Sequence, residues 1–219
     1  MYQPRLFVES DQSRLHDLIG NHSFGTLIVS DPQQGLEISH LPFVLDRQIG
    51  TQGRLRLHVA RANPIWKAAL STGRVTAVFI GPHAHISAAW YDPSEQQVPT
   101  WNYAVVHAHG RARQLSTPEL RELLGDLSEL HERPTDPEGL PEWRLQQLTS
   151  EFLEELLGQI VGLSIDIDRL EGKFKLSQNR SDVDRARVLA ALRRRGGPDD
   201  LAVAELMNCG SSQPRRREE

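Results

Sequence analysis

Gly53-Arg54-Leu55-Arg56-Leu57-His58-Val59-Ala60-Arg61-Ala62-Asn63-Pro64-Ile65-Trp66 changes its period half-way along. Leu55, Leu57 and Val59 alternate with Arg54, Arg56 and His58, the two-residue repeat of a strand buried on one face. Asn63-Pro64 stops the alternation. It reads as a helix cap followed by proline at the first helical position, with Gly73 closing a short helix. A half-buried strand handing over to a helix points to a sheet packed on one side and wet on the other, the habit of antiparallel sheets.

Outward from this stretch the pattern holds. Phe24 to Ser30 is an apolar, β-branched run that stops at Asp31-Pro32, and Leu36 to Leu45 is a second run. Val75 to Ile80 is nearly all apolar and reads as a buried central strand. Trp101 to Gly110 alternates: Trp101, Tyr103, Val105, His107 and His109 share one face, while the other is small and lets a flat group or another backbone come close. Helices are expected from Ser116-Thr117-Pro118-Glu119 onward, from Thr149, and from Ser181 with Asp184 three residues on. A last strand is expected over Val161 to Ile167, with Gly172 to Arg180 as a polar loop. These elements predict one antiparallel α+β domain built on a barrel with peripheral helices, spanning 1–207. A helical insert falls at about 116–158, and 208–219 reads as a disordered tail.

The 219 residues are 38% hydrophobic with a formal net charge of −4, which excludes a generally basic nucleic-acid binder. Residues 111–158 hold 11 acidic and 5 basic side chains. Cys209 is the one cysteine, so a disulfide framework and a thiolate-rich metal site are excluded. No apolar leader or membrane-spanning run is present, and a cytoplasmic protein without membrane association is the expectation.

Four constellations offer chemistry. At Arg61–Asn63 the free N–H groups of a helix start, with an arginine fork, could cradle a phosphate, or form an ordinary capped helix with a surface arginine. Trp101, Asn102 and Tyr103 could flank a planar ring or serve as core aromatics. Gly172-Lys173-Phe174-Lys175-Leu176-Ser177-Gln178-Asn179-Arg180 holds two of the three lysines and offers donors to an anion or a partner subunit. His83-x-His85 and His107-x-His109 each place two imidazoles on one strand face without a matching carboxylate or cysteine motif, so no metal ligands are assigned. Arg193 to Arg195 end a helix, and no helix-turn-helix pair is legible, so DNA remains a partner without a reading module.

Taken together, Phe24-Gly25-Thr26-Leu27, His40-Leu41-Pro42-Phe43, His58-Val59-Ala60-Arg61-Ala62-Asn63-Pro64, Pro99-Thr100-Trp101-Asn102-Tyr103 and Lys175-Leu176-Ser177-Gln178-Asn179-Arg180 resemble the PaiB family of FMN-binding transcriptional regulators. The chain departs from that family's pattern at His85-Ile86-Ser87-Ala88-Ala89. The resemblance implies an FMN-binding split β-barrel, a homodimer with FMN near its interface. It makes the Arg61–Asn63 corner the phosphate cradle and His58 a wall of the site. Trp101, Asn102 and Tyr103 would line the flavin ring. Lys175, Gln178 and Asn179 would reach the flavin of either subunit, with His40 a further contact. It implies a flavin-dependent sensor in transcription control. The alternatives are a flavin-dependent oxidoreductase and a haem-binding or haem-degrading split barrel, and no catalytic residue is assigned.

Overall fold

The computed structural model describes residues 1–32, 35–93, 96–132 and 143–209. The strands are β1 (Val8–Glu9), β2 (Phe24–Asp31), β3 (Gly35–Pro42), β4 (Val44–Asp46), β5 (Arg54–Ala60), β6 (Arg74–Ile86), β7 (Thr100–Gln114) and β8 (Ile160–Lys175). The helices are α1 (Gln12–Asn21), α2 (Ile65–Thr72), α3 (Thr117–His131), α4 (Ser150–Gly158), α5 (Asp182–Arg195) and α6 (Pro198–Cys209). The sheet runs β3-β2-β6-β7-β8-β5-β4, with β1 added on β8. β3 lies against β5 without a ladder between them among the described residues, so the sheet curls into a barrel that stays split.

The chain divides into two compact units: unit 1 is 1–15, 80–106 and 171–219, and unit 2 is 16–79 and 107–170. In unit 2, Leu55, Leu57 and Val59 of β5 face the core and pair with Ile165, Leu163 and Val161 of β8. Leu27, Val29, Ala77 and Phe79 complete that interior. A second core lies on the outer side of β5 and β8, where α3 and α4 bring Leu120, Leu123, Leu127 and Leu157 onto Leu115. Gly110 shows why the small face of β7 is small. A Cβ there would sit 2.3 Å from the Asp166 carbonyl oxygen, so this face meets another backbone. In unit 1, α5 and α6 pack on each other, and Val188, Ala191 and Leu192 of α5 and Val203 and Ala204 of α6 are buried.

Three elements differ from the sequence expectations. α1 was not expected, although Asp11 accepts the Ser13 N–H at 2.9 Å and Leu15, Leu18 and Ile19 form a buried stripe. β8 continues to Lys175 because Gly172 pairs with Glu9 of β1 and Phe174 is buried, so only 176–180 remain loop. α6 is helical through Cys209, past the expected start of the tail, and residues 210–219 lie outside the described ones.

Candidate functional site

In unit 2, β5 delivers His58 to the side opposite Leu57 and Val59. Its cross-strand partner is Gly162, where a Cβ would lie 2.9 Å from Leu120 and 3.0 Å from Leu115. Helix α3 therefore covers this face, and His58 sits half-buried beneath it. Its Nδ1 is buried and finds no hydrogen-bond partner among the described residues, as is the case for Ser164 Oγ, which stands opposite Arg56. Burial pushes the His58 imidazole below its usual pKa. Arg56 donates from Nε to Asp46 at 2.7 Å and from Nη2 to Asp126 of α3 at 2.6 Å, tying α3 to the sheet.

The strand-to-helix corner is occupied by the protein's own groups. Arg61 donates from Nε to the Gly158 carbonyl at 2.6 Å and from Nη2 to the Ile160 carbonyl at 2.8 Å. Its fork thus bridges the last carbonyl of α4, where the helix dipole favours a cation, and the first carbonyl of β8. Asn63 Oδ1 accepts the Ile65 N–H at 3.0 Å, and its Nδ2 donates to Ser39 Oγ at 3.0 Å. His40 is exposed on β3, with Nδ1 3.0 Å from Thr26 Oγ1. It follows Ser39 directly in the strand and so faces away from Asn63. His109 Nδ1 lies 2.9 Å from Thr76 Oγ1, and its ring centroid lies 6.1 Å from that of His107.

In unit 1, Trp101 is 52% exposed. His83 stands with its ring centroid 6.2 Å from that of Trp101, and His85 edge-on at 5.7 Å. Two residues on, Tyr103 shares the face of Trp101. Lys173 Nζ lies 5.5 Å from the Tyr103 ring centroid and 5.3 Å from that of Tyr2. Lys175 Nζ donates to the Trp101 carbonyl at 3.0 Å and to Thr100 Oγ1. Burial lowers its pKa, and the charges of Lys173 and Arg180 lower it further.

Asn102 points the other way, into the interior of unit 1. Its Nδ2 donates to Ser177 Oγ at 2.9 Å and lies 3.6 Å from Met207 Sδ. Ser177 is buried and holds φ at 62°, left-handed for a non-glycine, at a cost of about 1–3 kcal/mol. Gln178 closes on its own loop: Oε1 accepts the Leu176 N–H at 2.6 Å and Nε2 donates to the Phe174 carbonyl. Asn179 is exposed.

The structure therefore brings Trp101, Tyr103 and Lys175 onto one face of unit 1 and sets Asn102 and Gln178 to hold the loop behind it. Ser177 escaped the sequence reading, because nothing in Leu-Ser-Gln-Asn-Arg announces a left-handed serine. Lys173 and Arg180 were legible as neighbours of Lys175 but were not assigned a role.

Comparisons with known proteins extend these observations. The family model described as "Putative FMN-binding domain" matches residues 1–169. Protease synthase and sporulation protein PAI 2 of Bacillus subtilis (strain 168) is 35% identical over 208 residues, covering 94% of this chain and 96% of that protein. The uncharacterized protein AN0679 of Emericella nidulans is 29% identical over 242 residues, covering 94% and 96%. Among solved structures, the FAD and heme binding protein of Mycobacterium smegmatis superposes with a TM-score of 0.55 at 15% identity, covering 87% of this chain and 80% of that one. The flavocytochrome Anf3 of Azotobacter vinelandii gives 0.55 at 13% identity, covering 85% and 78%. At these identities the structural likeness establishes the split-barrel fold and nothing finer.

Proposed function

From the premise that the chain belongs to the FMN-binding domain family matched over residues 1–169, we propose that it is a flavin-dependent sensor in transcription control, working as a homodimer. FMN is the cofactor of that family, and the residues of unit 1 fit a planar anionic group. The observation that carries this reading is the exposed Trp101 indole, with Tyr103 on the same face and the Lys175 ammonium bonded to the Trp101 carbonyl. An indole and a phenol ring offer flat apolar surface to a flavin ring, and an ammonium draws its anionic end. The flavin supplies reversible two-electron redox chemistry when bound. The chain's own part is to orient it: Thr100 and the Trp101 carbonyl fix Lys175, and Asn102 fixes the loop that follows. Arg61 and Asn63 act on the protein, holding α4 and α2 in place.

The dimer reading is supported by unit 2. Phe24, Leu36 and Ile38 are 70%, 66% and 53% exposed, and Leu36, Ile38 and His40 line one face of β3 beside Ile28 and Thr26. An apolar sheet face of this kind marks an association site, and a second copy of this chain is the occupant consistent with the family. Direct DNA reading through the C-terminal helix pair is disfavoured. α5 and α6 are joined by Gly196-Gly197, but the exposed side of α6 carries Asp199 and Glu205, which repel phosphate.

A visible flavin absorption band, from a cofactor released as FMN on denaturation, is expected of the purified protein. Arg61→Ala should weaken FMN and riboflavin equally, through loosening of α4, as read by calorimetry. Selective loss of FMN would return the phosphate to the Arg61 corner, and a colourless protein that ignores both ligands would end the flavin reading.

A further inference from the structure

The chain neutralises its guanidinium groups almost wherever they gather. A cavity of about 390 Å³ in unit 2 is lined by Arg47, Arg54, Arg56 and Arg113. Each has its own carboxylate: Asp17 at 2.7 Å, Asp166 at 2.6 Å, Asp46 with Asp126, and Glu119 at 2.7 Å. In unit 1, Arg14 pairs with Glu9, Arg187 with Asp92 and Arg195 with Asp200. Lys173, Lys175 and Arg180 break the rule. Among the described residues none of the three meets a carboxylate. Their partners are two tyrosine rings for Lys173, and a hydroxyl and a carbonyl oxygen for Lys175. Arg180 has the Gln97 amide oxygen and the Tyr91 ring, 4.5 Å from its guanidinium carbon. Glu171, two residues before Lys173 on the same strand face, is held by the Met1 ammonium at 2.6 Å.

We propose that Lys173, Lys175 and Arg180 form a binding site for a phosphate monoester. Lys173 and Lys175 are two apart on β8 and share a face, and Arg180 follows on the turn that starts α5. Two of the three Lys175 N–H donors are spent on neutral oxygens, which leaves one to give. Among the described residues Lys173 meets ring faces alone, and none of them offers its N–H groups an oxygen acceptor.

The fold keeps the three cations together against their mutual repulsion. Asn102 pins Ser177, Arg185 donates to the Leu176 carbonyl at 2.8 Å, and Gln178 brackets the turn. A preorganised cluster of like charges without counter-charge is matched by a compact, multiply charged oxyanion. A polynucleotide would need the basic track to continue, whereas Asp182 and Asp184 follow at once in α5. The phosphate has two sources: the phosphate of bound FMN, in which case the proposal rests on the flavin reading above, or a separate phosphorylated metabolite.

The test uses flavin-free protein, first with inorganic phosphate as the probe in thermal melts. Millimolar phosphate should raise the wild-type melting temperature, and the response should weaken on the order of tenfold in apparent affinity in Lys173→Gln and in Arg180→Gln. Lys67→Gln, on the exposed surface of α2, should respond as wild type. FMN and riboflavin titrations of the same variants then assign the source. Selective loss of FMN identifies the cofactor's own phosphate, and retention of both ligands with the phosphate response lost identifies a separate metabolite. A wild-type protein that ignores phosphate and binds FMN no better than riboflavin would overturn the site, as would variants that respond like wild type. Failure of wild type to bind either flavin would defeat the flavin reading alone, since the inorganic phosphate arm reads without it.

Discussion

Arg56 in unit 2 and Lys175 in unit 1 are both partly buried cations on outward strand faces, and their surroundings drive them in opposite directions. Burial works against the charge of each. For Arg56 the hydrogen bonds and charges of Asp46 and Asp126 outweigh it, and the guanidinium is held more firmly protonated than usual. For Lys175 no carboxylate among the described residues answers, and Lys173 and Arg180 add to the effect of burial, so its pKa falls. Arg47, Arg54, Arg56 and Arg113 of unit 2 are each charge-paired, as suits a barrel wall that must hold a helical layer in place. Unit 1 pairs Arg14, Arg187 and Arg195 with carboxylates but leaves Lys173, Lys175 and Arg180 to neutral oxygens and aromatic rings among the described residues. Folding alone does not require such an arrangement, and the proposed phosphate would offset its charge.

The largest effects should come where the two units behave alike, at backbone contacts. A Cβ at Gly110 meets Asp166 O at 2.3 Å, and one at Gly172 lies 2.8 Å from Glu9 O. Valine at either position should cost at least about 4 kcal/mol or prevent folding, as measured by denaturant titration. A tolerated Gly172→Val with an intolerant Gly110→Val would show that the β1–β8 contact is dispensable.

Charge removal should then separate the units. Arg56→Ala leaves Asp46 and Asp126 without their cation and should destabilise by about 2–3 kcal/mol, discounted for the part exposure of both carboxylates. Lys173→Gln, in the absence of any ligand, should be neutral or stabilising by up to about 0.5 kcal/mol. A loss at Lys173 as large as that at Arg56 would mean that the unit 1 cluster is structural.

The smallest effect concerns pH. The His58 imidazole has its folded-state pKa below the unfolded value of 6.5, so the unfolded chain binds the extra proton more readily. Its contribution is fully present above pH 6.5 and is lost as pH falls through the lowered folded value. His58→Gln should flatten this part of the stability profile between neutral and mildly acidic pH, in urea melts at a series of pH values. An unchanged profile would remove His58 as the titrating group under α3.

Much of the fold was legible because alternation reports burial directly. Leu55, Leu57 and Val59 could face only one way, and the small face of β7 announced a close approach that Gly110 makes. α1 was missed although its signals, the Asp11 cap and the Leu15, Leu18, Ile19 stripe, are local, because strand-like runs surround it. The end of β8 was missed for a different reason. Lys173 and Lys175 look like loop residues until Glu9, far away in sequence, supplies the pairing strand. The candidate site was legible as a set of residue types and much less as a set of roles. Asn102 sits between Trp101 and Tyr103 in sequence, and the strand repeat already sends it to the opposite face. That it there meets Ser177, and that Arg61 spends its fork on α4, required partners 75 and 97 residues away.

The sequence by itself determined which residues alternate, where helices begin and which family the motifs resemble, because those depend on near neighbours and on the two-residue and 3.6-residue repeats. The tertiary structure alone decided which charges find counter-charges. A lysine on a strand carries the same formal charge whether or not an aspartate waits for it, and only the folded chain brings one to Arg56 while no described carboxylate meets Lys173, Lys175 or Arg180.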